Sequence, residues 1–249
     1  MQSNELDNRR KALAANIGKN SIAILSSANR NYRSRDVEYP FRQESDFLYM
    51  TAISEPNLIN VIYTKNNRVR TVLFRDNTST QEKIWEGSRL TNKEIKKKYG
   101  FPEIYNYEQY PEKIESLLKG KDRVFMEFNI NPKLDTFVNK NFLKLGRTKK
   151  KNIIPLSQVT QKLRLIKSNY EINQIKKAAE VSIEAHMNAM KKATPGIYEY
   201  ELDAEIKYIF NKNNMHFAYM SIVGSGKNAC ILHYIKKQNQ EQTGKKFML

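Results

Sequence analysis

Apolar residues in the first half of the chain fall into short runs separated by stretches with helical spacing. Ile22 to Leu25, Phe47 to Ile53, Leu58 to Thr64, Val69 to Phe74 and Val124 to Phe128 have the length and side-chain content of strands. Glu5 to Ala15, Asn92 to Tyr99, Pro111 to Leu118 and Leu134 to Leu145 have the three- and four-residue spacing of helices. Strands interleaved with helices predict an α/β domain, its largely parallel or mixed sheet covered by helices.

After Pro155 the strand pattern gives way to two long helices. Ser168 and Glu171 have the spacing of a capping box, and Ile172, Ile175, Ala179, Ile183, His186 and Met190 then recur along one face. Thr194-Pro195-Gly196 ends this helix. A second, about Glu199 to Lys212, directs Leu202, Ile206, Ile209 and Phe210 toward a core. The change of pattern puts a domain boundary between Asn152 and Lys167, giving an amino-terminal domain over 1–155 and a second over 156–249.

Composition changes this picture only modestly. Across 249 residues an apolar fraction of 40% is ample for a core. The formal charge of +17 points toward nucleic acid only if it is concentrated, and the lysines are instead scattered among acids and asparagines. The composition therefore reads as a lysine-rich surface, with no nucleic-acid partner expected. One cysteine excludes an internal disulfide and fits a reducing compartment, so a cytoplasmic location is expected. No apolar run has the length of a membrane span, and the opening residues do not have the pattern of a signal peptide.

Candidate chemistry concentrates in Ser221 to Tyr234, SIVGSGKNACILHY. Three histidines and one cysteine, at His186, His216, His233 and Cys230, lack the spacing of a zinc site. Gly224-Ser225-Gly226 lacks the third glycine of a dinucleotide fingerprint and is not a nucleophile elbow. Ser225 or Cys230 paired with His233 is a weakly specified nucleophile, and Ala229 to Leu232 reads as a buried strand that would leave the thiol inert. His186 reads as a core histidine. His233, closing a glycine-bent segment at a strand end, is the imidazole best placed to reach a cleft.

The same segment resembles the IVGSGxNxCxLHY stretch of Xaa-Pro aminopeptidases, metallopeptidases with the pita-bread, or creatinase-like, fold. Glu38 to Tyr49 is similar to the EYPFRQxSDFxY signature of their amino-terminal domain, followed by Glu55-Pro56, and Ile84 to Leu90 is similar to IWxGxRL. Leu163 to Ile172 resembles the RxxKSxxEI entry to the catalytic domain, and Pro195-Gly196 with Glu199 resembles PGxxEx. The resemblance runs from about Arg9 to Tyr234.

It implies an amino-terminal mixed-sheet creatinase-like domain followed by the first part of a pita-bread α+β catalytic domain. It also implies metal-dependent hydrolysis of the amino-terminal residue preceding proline in peptides, in a cytoplasmic homo-oligomer that uses two divalent metal ions, usually manganese. His233 would be the catalytic and substrate-binding histidine, and Trp85 a substrate-binding residue able to face a neighbouring subunit's cleft. The family's metal ligands all follow the HY segment. If Gly244 aligns with the glycine of the family's GDLVLID strand, residues 1–249 stop one position before the first ligand, and no metal is expected on this chain. Four further expectations follow: a peptidase inactive alone, a final strand without partners, an exposed apolar face, and poor solubility or local disorder after Asn152. A non-catalytic oligomerisation or binding fragment is the alternative function.

Overall fold

β1 (Ser21–Ser26) is buried along its whole length, and its alternating side chains feed two cores. The computed structural model describes residues 3–145, 151–236 and 247–248. β1 pairs antiparallel with β2 (Ile59–Lys65) and parallel with β5 (Arg123–Met126). With β3 (Arg68–Phe74), β4 (Glu103–Tyr105) and β6 (Asn152–Pro155) they form a six-stranded mixed sheet in the order β4-β3-β2-β1-β5-β6. Asn66 and Asn67, both at positive φ, turn β2 into β3 in a two-residue hairpin loop, a conformation asparagine tolerates unusually well.

Helices cover both faces. Ala23, Leu25, Ile62 and Leu73 meet α1 (Ser3–Ile17), α2 (Ser45–Thr51), α4 (Asn92–Tyr99) and α7 (Ser157–Leu165). Ile22, Ile24, Val61, Val72 and Val124 meet α5 (Tyr110–Leu118) and α6 (Pro132–Lys144). α3 (Thr80–Glu86) buries none of its residues. The mixed α/β class expected from the hydrophobic pattern is the class observed.

One expected strand is a helix. Phe47 to Ile53 lies mostly in α2, because Glu44 caps the helix by accepting the Asp46 and Phe47 amides at 3.0 and 2.6 Å. Phe47 and Met50, three residues apart, are buried while Leu48 is exposed, which is helical rather than alternating spacing. Ala52 closes the helix in the left-handed conformation. The motif residues around α2 serve the scaffold. Buried Gln43 accepts from the Ala28 and Glu44 amides and donates to the Ile53 and Glu55 carbonyls. Asp46 accepts from the Thr160 hydroxyl and from Arg164 at 2.7 Å, fastening α7.

The chain divides into two compact units between Ile166 and Lys167. In the second unit, α8 (Asn169–Lys192) packs on α9 (Glu199–Lys212), and β7 (Gly224–Ser225) pairs antiparallel with β8 (Phe247–Met248). The Ser168–Glu171 capping box is formed. The buried face of α8, however, is Val181, Ala185 and Ala189, not the isoleucine face expected: Ile172, Ile175, Ile183 and Met190 are exposed. Val181, Ala185 and Ala189, at four-residue spacing, are the α8 residues that pack with Leu202, Ile206 and Ile209 of α9. His186 is therefore exposed rather than a core histidine.

Two further expectations are corrected here. Ala229 to Leu232 is not a buried strand: Gly226–Cys230 forms a 3₁₀ turn, and Cys230, Ile231 and Leu232 are exposed. The terminal strand does have a partner, since Phe247 and Met248 pair with Ser225 and Gly224. Gly244 lies outside the described residues.

Candidate active site

Glu199, the first residue of α9, is fully buried, and the segment carrying His233 closes around it. Its Oε1 accepts the Ser225 amide at 2.7 Å and the Asn228 Nδ2 at 3.2 Å; its Oε2 accepts the Tyr234 hydroxyl at 2.7 Å. Asn228 Nδ2 also donates to the Tyr234 hydroxyl at 3.0 Å. Ser225, Asn228 and Tyr234 are themselves buried. An ionised carboxylate only accepts, so three donors converging on it satisfy its chemistry, and the amino-terminal turn of a helix favours its charge.

Local backbone makes this closure possible. Gly226 has φ +54, and a Cβ on Gly224 would lie 3.0 Å from the Ala229 nitrogen and from the Asn228 carbonyl carbon and oxygen. The 3₁₀ turn therefore folds directly against a residue without a side chain. Past the turn, His233 is exposed and Tyr234 returns to the buried carboxylate.

The Ser225 pairing loses its basis in this arrangement. Ser225 is sealed inside the clamp, so it offers no hydroxyl to a substrate, whereas Cys230 is exposed. His186 and His216 line an open groove of about 490 Å³ with Phe210, Phe217, Tyr219 and Leu232. Among the described residues no group of three histidine, cysteine, aspartate or glutamate side chains is placed to hold a metal ion. The donor set a two-metal centre requires is thus not assembled by these residues.

Trp85 belongs to the first unit, on α3, where it and Ile84 are each 79% exposed. The helix is capped by Ser79 with Glu82 and tied down by Arg30, whose Nη1 donates to Glu86 at 2.8 Å and to Glu38 at 3.0 Å. The Arg30 hydrogen bond holds the Glu86 carboxyl below the usual carboxylate range. The stability from this tie is complete above the ordinary glutamate range and is lost as pH falls through the lowered folded value. Trp85 is the chain's one tryptophan. Its emission in residues 1–249 should therefore change only below the ordinary glutamate range, and Arg30→Gln should move that midpoint upward. Identical midpoints would show that Arg30 does not hold α3.

Residues 6–125 match the family model for the aminopeptidase P N-terminal domain, and residues 173–249 match that for metallopeptidase family M24. The chain belongs to the aminopeptidase P family of metallopeptidases. It is 34% identical over 248 residues to the Xaa-Pro aminopeptidase of Escherichia coli K12, covering 96% of this chain and 56% of that protein. Its similarity to the Haemophilus influenzae Xaa-Pro aminopeptidase is 29% identity, covering 96% and 55%. The solved low-pH form of E. coli aminopeptidase P superposes with a TM-score of 0.91 at 32% identity, over 98% of this chain and 57% of that one. Proline aminopeptidase P II from Yersinia pestis gives 0.91 at 31%, over 98% and 58%. The chain spans a little over half the length of the curated relatives it matches.

Proposed function

We propose that this chain forms the amino-terminal part of an Xaa-Pro aminopeptidase, which hydrolyses the bond between the first residue of a peptide and a following proline. The observation that carries this reading is the agreement with E. coli aminopeptidase P over nearly the whole chain. In this reading residues 1–155 are the aminopeptidase P domain and 156–249 the opening of the catalytic domain. His233 donates a hydrogen bond to the bound peptide or to the oxyanion developing at its scissile carbonyl, a role suited to an exposed imidazole on a fixed segment. Trp85, exposed beside Ile84 on α3, supplies an apolar subunit contact at a neighbour's cleft in a cytoplasmic homo-oligomer.

Family membership implies divalent metal ions, and manganese is the proposed metal. The described residues do not supply the ligand set, so no step is assigned to a metal here. On the family resemblance, a polypeptide of residues 1–249 alone should show neither turnover of a Xaa-Pro peptide with added Mn²⁺ nor Mn²⁺ binding by calorimetry at micromolar concentration. Tight binding with proline-dependent turnover would contradict this expectation.

A further inference from the structure

We propose, resting on the aminopeptidase reading, that Glu199 is the positioning residue of His233, a buried carboxylate that fixes the 224–234 segment by accepting hydrogen bonds from its start, its middle and the residue after the histidine. Those donors are the Ser225 amide, the Asn228 side chain and the Tyr234 hydroxyl. The segment has little regular structure of its own: a two-residue strand, a five-residue 3₁₀ turn and then irregular backbone. Its order near His233 therefore comes from side-chain anchoring. Tyr234 is the nearest anchor, and its hydroxyl is held by Glu199 and Asn228 together.

The consequence is catalytic geometry rather than mere stability. A hydrogen-bond donor aimed at a developing oxyanion is effective only if it is already in place, and small misplacements are costly in rate. Glutamine at 199 has nearly the same shape but replaces one acceptor oxygen with an amide donor. Either the Ser225 and Asn228 donors or the Tyr234 hydroxyl must then turn away or find another acceptor. The segment stays folded while His233 loses its fixed position.

The test uses the catalytically competent protein purified from its native cells and the same protein carrying Glu199→Gln, Tyr234→Phe and His233→Ala, singly and combined. Glu199→Gln and Tyr234→Phe should each lower kcat/KM for a Xaa-Pro peptide by about tenfold, mainly in kcat. In the His233→Ala background Glu199→Gln should change kcat/KM by less than about twofold, because the residue it positions is gone. Equal losses in both backgrounds would mean that Glu199 only supports the fold, and would overturn the proposal. The His233 ring resonances, assigned by difference from His233→Ala, should shift or broaden in both clamp variants; unchanged resonances would also overturn it. If Glu199→Gln fails to fold, Tyr234→Phe decides by the same two readouts. Absence of any Xaa-Pro turnover by the unsubstituted protein would sink the aminopeptidase reading, while the ring resonances would still decide the clamp.

Discussion

Arg10→Leu destabilises the first unit by about 3 kcal/mol, the cost of leaving a set of carbonyls without their charged donor. Arg10 sits on α1 and is 2% exposed. Its Nε donates to the Met50 carbonyl at 3.2 Å, and its Nη1 to the Tyr99 and Gly100 carbonyls at 2.9 and 3.1 Å. These carbonyls close the last turns of α2 and α4, where backbone acceptors lack helical partners and the dipole favours a cation. The guanidinium also lies 4.1 Å from the centre of the Phe101 ring. Burial lowers the Arg10 pKa to about 10, so the side chain remains charged at neutral pH. One residue thus pins three helices, and lysine, a point charge without the fork, should recover less than half of the loss. Urea unfolding of residues 1–249, followed by hydrogen exchange at β1 and β2, measures both variants. Unchanged protection in Arg10→Leu would contradict the role.

Gly224→Val costs about 3 kcal/mol in the second unit and removes the clamp with it. The atoms a Cβ would meet at 3.0 Å all belong to the backbone of Asn228 and Ala229, which cannot rotate aside as a side chain can. The 3₁₀ turn must move away, and Asn228 with it, so the Glu199 carboxylate loses a donor and Tyr234 a partner. Hydrogen exchange should rise at the Ser225 amide, whose bond to Glu199 depends on the same closure. Gly224→Ala should give the same pattern at about 2 kcal/mol. Native protection in either variant would show that the turn tolerates a side chain there.

Much of this fold is readable from hydrophobic spacing. β1, β2, β3 and β5 carry apolar runs dense enough to be recognised, and Ser168 with Glu171 marks the start of α8 by its capping chemistry. Short elements escape. β4 has three residues, and α3 buries none of its side chains, although Ser79 and Glu82 carry the same capping spacing that marks α8. α2 was hidden because a seven-residue apolar run is ambiguous until Glu44 is seen as its cap. On α8 the larger isoleucines suggest a core face, but the residues that meet α9 are Val181, Ala185 and Ala189.

The motif positions of the candidate site stand out in the sequence, but the hydrogen bonds that join them do not. His233, Gly224 and Glu199 all stand in recognisable motifs, yet nothing in their spacing places Glu199 inside the loop 26 residues later. A buried carboxylate is recognisable only when its donors are seen converging on it. Trp85 is exposed on α3. Its role as a subunit contact is part of the proposal.

The most direct test of the central claim is the product analysis of the protein isolated from its native cells, given two peptides that differ only in proline or alanine at the second position. Release of the first residue is expected from the proline peptide alone, abolished by a chelator and restored by Mn²⁺. Equal cleavage of both peptides, or cleavage indifferent to the chelator, would contradict it.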